Sequence, residues 1–370
     1  MNILHLSAAK TWGGGEKHIE NLCREMKEIA PQVNHAIFCN KNSEFKEAFE
    51  DQNVEVISAT LDYKMDPQYF LKLIGTCKNK NIDLLHIHDS TALTLAIMGS
   101  YFGKLPPFIF SKKTSFPIQS RRATRFKYNF HKIKKILCVS EATKAIAEEN
   151  IIDKHNITCV YHGTSLKDKT TANSFCLKEH LNLKKETVLI GNIANHIWPK
   201  NLKTFLLVAD ELVNKQKLQD LHFIQIGAFS KKTPSLLQKV KQLGLTSHVS
   251  FLNKIPNASG FIPQFDISLM TSESEGIPQF IYESFFYEVP VVSTNVGGIP
   301  EVIEHEKNGL LAPAFDHKKL AENIILLLNN KELKKNFTDI SKEKLLRNFT
   351  SEKMAIQTLE EYKKVLNGRP

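Results

Sequence analysis

Two carboxylates in one short segment have the spacing of a ligand site. Glu275 and Glu283 are separated by seven residues within the sequence SESEGIPQFIYESFFYEVPVVSTNVGGIPE at positions 272–301. Pro278 lies between them, and because proline is favoured in the first turn of a helix, the segment predicts a helix that begins near Ile277. The unpaired N–H groups of that first turn favour a phosphate, and Glu283 could reach the hydroxyls of an attached ribose.

A strand and a glycine loop follow these carboxylates. Residues 289–293 predict a short buried strand, and Gly297 and Gly298 would let the backbone approach a ligand closely. Pro300 would open another helix. The combination fits a site for a phosphorylated sugar donor. Each part also has an ordinary interpretation. Glu275 could be a surface acid in a loop, Glu283 a solvated helix residue, and the two glycines a tight turn.

The order and spacing of these residues closely resemble the signature of glycosyltransferase family 4. In that signature two glutamates spaced this way precede a Pro-Val-Val strand and a Gly-Gly-x-Pro-Glu loop. The resemblance implies an α/β protein of the GT-B class, with two Rossmann-like doubly wound domains facing one another across a cleft. It also implies that Glu275 contacts hydroxyls of the transferred sugar and Glu283 contacts the ribose, while backbone N–H groups near Gly276, Ile277 and the two glycines hold phosphate or sugar.

The loop GNIANHIWPKN at positions 191–201 opens the second half of the chain. In family 4 this loop usually supplies an Arg and a Lys that neutralise the donor diphosphate. Lys200 matches the Lys, whereas Asn195 or His196 stands where many members have the Arg. The resemblance therefore assigns both Lys200 and Glu275 to catalysis and Asn195 to donor binding. No metal or other cofactor is implied, because lysine and helix N-termini can stabilise the leaving group.

A glycine cluster follows the first predicted strand. Gly13, Gly14 and Gly15 resemble the N-terminal Gly-Gly loop of family 4, which would place Gly14 and Gly15 at the donor. A simple turn is the alternative, since His18 stands where a dinucleotide fingerprint needs its third glycine.

The segment DLLHIHDS ends another predicted strand and resembles the acceptor-side border of the family. Alternation places His86 and His88 on one face, so that a metal site with Asp89 is conceivable. We expect no metal there. His86 is predicted to be structural, and His88 and Asp89 are assigned to the acceptor side.

One family histidine is missing. Many relatives have it just after the strand that corresponds to residues 108–110, where this chain has Ser111, Lys112 and Lys113. We assign Lys112 to the acceptor side. The missing Arg and His leave a second hypothesis, a catalytically weakened GT-B protein that binds a sugar nucleotide or glycan at the membrane without turnover.

The charge of the chain is unevenly distributed. The formal net charge is +10, and between Lys112 and Lys135 there are nine Lys or Arg residues and no Asp or Glu. Phe126, Tyr128 and Phe130 are interleaved with them, which suits an anionic membrane surface or an acidic acceptor. A solvated helix face with core aromatics is the alternative. Nucleic acid is not expected as a partner, because no nucleic-acid-binding motif accompanies the charge.

Length and periodicity predict two domains. The chain of 370 residues alternates short apolar runs with amphipathic stretches, as in parallel α/β units. We place the acceptor-side domain at 1–173, the nucleotide-sugar domain at 174–345 and a C-terminal helix that returns to the first domain at 346–370. The predicted strands are 2–7, 35–39, 54–58, 84–88, 108–110, 136–139, 157–161, 188–192, 222–226, 249–252, 267–270 and 291–293.

The apolar runs and the cysteines of the sequence predict where the protein is located and whether it has a zinc site or disulfides. No run approaches the roughly 18 apolar residues that span a bilayer, and a signal peptide is not indicated, so a cytoplasmic protein is expected. The basic segment from Lys112 to Lys135 would allow it to lie peripherally on the inner face of the membrane. The six cysteines include no C-x-x-C pair, which predicts neither a zinc site nor a disulfide framework. The expected activity is nucleotide-sugar-dependent, retaining glycosyl transfer to a glycan or glycolipid in bacterial cell-envelope polysaccharide or lipopolysaccharide synthesis.

Overall fold

The computed structural model describes residues 1–49, 54–63, 65–119, 121–167 and 175–368. The chain divides into two compact units, one formed by Met1–Thr164 with Phe349–Pro370 and the other by Ser165–Asn348. Most of the predicted linker at 166–173 lies outside the described residues. Each unit is built around one parallel sheet with helices packed on it.

The first unit contains a seven-stranded sheet in the order β3-β2-β1-β4-β5-β6-β7. Every pairing in this sheet is parallel. Its strands are β1 Asn2–Leu6, β2 Asn34–Asn40, β3 Glu55–Ala59, β4 Leu84–Ile87, β5 Phe108–Lys112, β6 Ile133–Cys138 and β7 Ile157–Cys159. Its helices are α1 Gly14–Ile29, α2 Phe45–Ala48, α3 Pro67–Asn79, α4 Ser90–Phe102, α5 Arg122–Tyr128, α6 Glu141–Glu148 and, from the end of the chain, α14 Ser351–Asn367.

The second unit contains a six-stranded sheet in the order β10-β9-β8-β11-β12-β13, again with parallel pairings. Its strands are β8 Val188–Ile193, β9 Leu221–Ile226, β10 Val249–Leu252, β11 Ile267–Met270, β12 Val291–Thr294 and β13 Leu310–Ala312. Its helices are α7 Leu177–His180, α8 Leu202–Asp210, α9 Thr233–Gln242, α10 Gln279–Phe286, α11 Ile299–Val302, α12 His317–Asn329 and α13 Lys331–Asn348. The order 3-2-1-4-5-6 that both sheets contain is that of the Rossmann fold.

The strands form where short apolar runs can be buried on both faces. All residues of β4, β5, β9, β11, β12 and β13 are buried, as expected for parallel strands covered by helices. Polar residues start the helices that cover them. Asp89 caps α4 through Thr91 and Ala92, and Asn201, at φ 43°, caps α8 through Thr204.

The predicted strands are all present, with ends that differ by a few residues. Strand β13 was missed, because three apolar residues give too short a pattern to recognise. The helix predicted to begin near Ile277 begins at Gln279, with Pro278 as its N-cap in an extended conformation. The fold class is confirmed as two parallel α/β units of the GT-B type.

Helix α14 packs on α1 within the first unit. Met354 and Tyr362 share an apolar cluster with Leu22 of α1, and Ser351 Oγ donates to the Glu25 carboxylate at 2.7 Å.

The basic run at 112–135 extends over several elements. Lys112 ends β5, α5 spans Arg122–Tyr128, and the run ends in β6. Phe130 is buried in the core of the unit, whereas Phe126 is 53% exposed. The interpretation as core aromatics therefore fits Phe130, and the interpretation as a surface-binding aromatic fits Phe126. No helix in the described part of the chain combines the length and apolar character needed to cross a bilayer.

Candidate active site

The strand order of the second sheet changes direction between β8 and β11. In open parallel sheets ligands bind outside the carboxyl ends of the strands at such a point. Two loops leave the sheet there, residues 194–201 after β8 and residues 271–278 after β11. The predicted site residues Asn195, Lys200 and Glu275 lie on these two loops.

Lys200 and Glu275 form a direct ion pair. The Lys200 ammonium lies 2.6 Å from Glu275 Oε1, and Ser272 Oγ donates to the same oxygen at 2.7 Å. The two side chains keep 20% and 10% of their surface exposed, so the pair is shielded but can be reached by a ligand. The sequence analysis assigned these residues to different parts of the donor, and the structure brings them into contact.

Hydrogen bonds hold the two loops together. Glu273 N donates to Pro199 O at 2.8 Å, and Thr271 Oγ1 lies 3.2 Å from Asn201 O. Thr294 Oγ1, at the end of β12, donates to Ser272 O at 2.7 Å. Because these bonds fix the backbone on both sides of the ion pair, the ends of three strands support one preorganised site.

Helix α10 begins directly after the β11 loop. Gly276 and Ile277 are buried just before it, and Glu283 lies half-buried in its second turn. Burial and the charge of Glu283 raise the pKa of Tyr287 one turn further along. The start of α10 and Glu283 are thus placed on the same short helix, as the sequence predicted.

The Gly297-Gly298 loop adjoins the start of α10. Gly297 has φ +54°, a region that side chains avoid, and Gly298 N donates to Gly276 O at 2.9 Å. The predicted helix at Pro300 is the single turn α11, which begins at Ile299. The structure therefore brings together the two glycine-containing segments that the sequence analysis assigned to the donor.

Asn195 and His196 brace the β8 loop. Asn195 Oδ1 accepts from Ala228 N at 3.1 Å, and His196 is buried between Thr233 Oγ1 at 2.8 Å and Gln225 Oε1 at 2.6 Å. Burial lowers the pKa of His196, so the ring is neutral at pH 7. Neither residue replaces the charge of the family Arg.

The N-terminal glycines lie at the start of α1 in the first unit. The helix begins at Gly14, and Gly15 O accepts from Lys113 Nζ at 2.8 Å. A Cβ at Gly14 would meet none of the described residues within 4 Å, so packing within the chain does not require a glycine there. Burial lowers the pKa of Lys113 to about 8.

His88 and Asp89 make internal contacts. Asp89 caps α4 with Oδ1, and its Oδ2 accepts from Ala8 N at 2.7 Å and Ser7 Oγ at 3.2 Å. His88 is buried, with Nε2 2.9 Å from His5 Nδ1. His86 lies between Tyr362 and Ser111, in agreement with its predicted structural role. The acceptor-side role of His88 and Asp89 stays a prediction.

Lys112 also points inward. Its ammonium is buried and donates to Thr114 O at 2.6 Å and Phe116 O at 3.0 Å, and burial lowers its pKa to about 8. The neighbouring Lys113 is the one that contacts the Gly15 backbone. Sequence reasoning missed Lys113 and also Ser272, whose position three residues before Glu275 was the only local signal.

Comparison with family models covers both units. Residues 12–168 match the model described as Glycosyltransferase Family 4, and residues 184–330 match the model described as Glycosyl transferases group 1. The chain carries two glycosyltransferase domains of the GT-B type.

Three curated relatives of this glycosyltransferase are bacterial. It is 23% identical over 292 residues to the N-acetyl-alpha-D-glucosaminyl L-malate synthase of Bacillus anthracis, covering 77% of this chain and 76% of the relative. It is 24% identical to the capsular polysaccharide biosynthesis glycosyltransferase CapH of Staphylococcus aureus, covering 76% and 79%. A third relative is the UDP-Gal:alpha-D-GlcNAc-diphosphoundecaprenol alpha-1,3-galactosyltransferase of Escherichia coli, at 21% identity and 72% of each chain.

Solved structures share the fold over nearly the whole glycosyltransferase. Anabaena Alr3699/HepE in complex with UDP and glucose superimposes with a TM-score of 0.85 at 17% identity, covering 98% of this chain and all of the other. A glycosyltransferase from Rickettsia africae gives a TM-score of 0.85 at 19% identity, covering 100% and 99%.

Proposed function

We propose that this glycosyltransferase moves a sugar, with retention of anomeric configuration, from a nucleotide-diphosphate-sugar to a hydroxyl of a glycan or glycolipid. The observation that carries the proposal is the Lys200–Glu275 pair at the carboxyl ends of β8 and β11. Relatives named for capsular polysaccharide synthesis and for a diphosphoundecaprenol-linked acceptor support a place in bacterial cell-envelope polysaccharide or lipopolysaccharide synthesis.

The proposed donor occupies the site built from the β8, β11 and β12 loops. The Lys200 ammonium pairs with the diphosphate. Its ion pair with Glu275 is then either kept at the same time or broken. Glu275 then accepts hydrogen bonds from hydroxyls of the transferred sugar, and Glu283 accepts them from the ribose. Backbone N–H groups around Gly276 and Gly298 complete the contacts to phosphate or sugar.

The proposed chemistry needs a stabilised leaving group and no protein nucleophile. The bond between the anomeric carbon and the diphosphate oxygen breaks, and the bonding electrons go to the nucleoside diphosphate. The acceptor oxygen bonds to the same face of the anomeric carbon, and its proton passes to a diphosphate oxygen. Lys200 stabilises the charge that grows on the leaving group, which is where preorganised positive charge lowers a barrier most. No step in this scheme calls for a metal.

The direct test is turnover of a panel of nucleotide-sugars by the wild type and by Glu275→Gln. We expect slow hydrolysis of one donor class even without an acceptor, and a product whose anomeric configuration, followed by NMR from the start of the reaction, matches the donor. Glu275→Gln is expected to lose roughly 100- to 1,000-fold in rate, the cost of removing one strong transition-state contact.

The matched control is Glu273→Gln, a neighbouring half-buried carboxylate on the same loop. It should keep the wild-type rate, because the contact that Glu273 makes to Pro199 uses the backbone. Inversion of configuration would contradict the retaining mechanism. Donor binding without any turnover, by a folded wild type supplied with glycan acceptors, would favour the weakened binder considered from the sequence.

We also propose that α5 attaches the protein to an anionic membrane. Arg121, Arg122 and Arg125 are exposed, and Phe126 beside them is exposed as well. Basic and aromatic side chains on one short helix suit the lipid headgroup region. Phe126→Ser with Arg125→Ser should abolish co-sedimentation with phosphatidylglycerol vesicles, whereas exposed Lys203→Ser on α8 should not. Equal binding of both variants would contradict the assignment.

A further inference from the structure

Histidines from three adjacent strands share one face of the first sheet. His5 of β1 is in register with His86 of β4, and His35 of β2 is in register with Ile3, two residues before His5. Because residues in register on parallel strands point to the same side, all three rings lie on the face that α1 covers. The His5 and His35 rings are stacked with centroids 5.2 Å apart.

A cysteine of α1 completes a cluster at this face. Ligand atoms of His5, Cys23 and His35 all lie within 4.8 Å of one another, and His5 Nε2 is 2.9 Å from His35 Nδ1. His5 and Cys23 are fully buried, and His35 is half-buried. One thiol and two imidazoles from β1, α1 and β2 therefore meet at a point that no sequence spacing reveals.

The two imidazoles, but not the thiol, are in the protonation state that a metal ion needs. Burial lowers the pKa of His35 to about 4 and that of His5 well below its ordinary value, so both rings are neutral and can donate a lone pair. The Cys23 thiol has a raised pKa, because of burial first and the nearby Glu20 carboxylate second.

We infer that His5, Cys23 and His35 bind a divalent transition-metal ion of the Zn²⁺ class. Nitrogen and sulfur ligands select such ions over Mg²⁺ or Ca²⁺. Zn–N bonds of about 2.0–2.1 Å in a tetrahedron hold two nitrogens about 3.4 Å apart, so the two rings need to separate by about 0.5 Å. His35 is the half-buried member and can supply that movement.

The surroundings of the cluster fit this assignment. Nδ1 of His5, the nitrogen opposite the proposed metal, is 2.9 Å from His88 Nε2, and such a second hydrogen bond fixes the tautomer of a metal-ligating histidine. Binding converts the Cys23 thiol to a thiolate and releases its proton to solvent.

The ion would stabilise the first unit, since it joins β1, β2 and α1 and binds only when they are assembled. This inference is independent of the proposed transfer reaction, which uses no residue of the cluster.

Cobalt tests the assignment, because a thiolate ligand to Co²⁺ gives an intense charge-transfer band in the near ultraviolet. The full chain is unfolded, freed of metal with a chelator and refolded with Co²⁺, Zn²⁺ or Mg²⁺. We expect one Co²⁺ per chain with the thiolate band, competition by Zn²⁺, a melting temperature raised by Zn²⁺ and no effect of Mg²⁺. Cys23→Ser should lose the band and weaken binding more than the roughly 10- to 100-fold typical of outer-shell changes.

The matched control is Cys39→Ser, another buried cysteine in the same apolar cluster as Cys23. It should keep both the band and the stoichiometry. His5, His86 and His88 form a second group of the same kind without a cysteine. Co²⁺ bound without a thiolate band, or no bound ion in a wild type that refolds fully, would overturn the proposal, and neither result depends on how a variant folds.

Discussion

The two units share a strand order, but the side chains differ at the point where that order changes direction. In the second unit the loops after β8 and β11 present a charged pair, Lys200 and Glu275, that solvent can still reach. In the first unit the corresponding neighbours, β1 and β4, carry His5, His86 and His88, which are buried and paired with internal partners. The same frame therefore holds exchangeable charges in one unit and buried neutral imidazoles in the other.

Charge exposure explains the difference in roles. The Lys200 and Glu275 side chains keep 20% and 10% of their surface exposed, so a ligand's charges can exchange with the pair. Buried neutral imidazoles contribute to stability only while they stay neutral. The proposed donor chemistry belongs to the second unit. Six of the eight histidines whose pKa is lowered by burial lie in the first unit, against His196 and His222 in the second.

The largest expected effect is acid unfolding of the first unit. His35 and His162 have pKa values lowered to about 4 and about 3, first of all by burial, against about 6.5 in the unfolded chain. Below pH 6.5 the unfolded state binds more protons than the folded state, so the free energy of unfolding decreases as the pH is lowered. At pH 5 each of these histidines lowers the free energy of unfolding by about 2 kcal/mol. Hydrogen exchange at pH 7 and pH 5 should show protection lost first in peptides of the first unit.

Two variants sharpen this prediction. His35→Gln should recover about 2 kcal/mol of the loss at pH 5, relative to its own stability at pH 7. His131→Gln, an exposed histidine of the same unit, should recover nothing. Equal acid sensitivity of peptides from both units would contradict the contrast between them.

A smaller effect is expected at a glycine of the second unit. A Cβ at Gly227, just after β9, would lie 2.0 Å from the backbone oxygen of Ala194 in the site loop. Because backbone cannot rotate away, Gly227→Ala should destabilise the protein by about 1–3 kcal/mol and displace the β8 loop. Urea unfolding measures the loss, and an unchanged midpoint would show that the loop is not rigid.

The smallest change in stability is expected at Gly14 of the first unit. A Cβ there meets no described atom within 4 Å, and alanine favours a helix over glycine by about 1 kcal/mol. Gly14→Ala should therefore unfold at an equal or higher temperature. If Gly14 lies at the donor, transfer should fall by about tenfold, since small displacements of a bound substrate are costly. Unchanged transfer would remove Gly14 from the donor site.

Local patterns made the donor segment predictable. Glu275, Pro278 and Glu283 lie within nine positions, and helix start, strand and glycine loop each have a short-range signal. The contact between Lys200 and Glu275 joins residues 75 positions apart and depends on β8 and β11 being neighbours. The contact cannot be predicted from the sequence until β8 and β11 are known to be neighbours in the sheet.

The first unit was harder to predict, because its polar residues act through long-range contacts. Alternation correctly put His86 and His88 on one face, but their neighbour His5 comes from another strand. Asp89 was assigned to the acceptor although its place just before Ser-Thr-Ala is typical of a helix N-cap. Lys112 ends β5 and donates to its own loop, whereas the next residue, Lys113, contacts Gly15, and the acceptor-side role of Lys112 stays a prediction.

The central claim is that the donor diphosphate binds at Lys200 and the ribose at Glu283. The most direct measurement is the melting temperature of the wild type, Lys200→Ala, Glu283→Ala and Lys203→Ala with UDP-, GDP-, ADP- and CMP-sugars, because a ligand of the native state raises it. We predict a shift with one nucleotide class in the wild type and in Lys203→Ala, and its loss in the other two. A full shift retained by Lys200→Ala and Glu283→Ala would contradict the account.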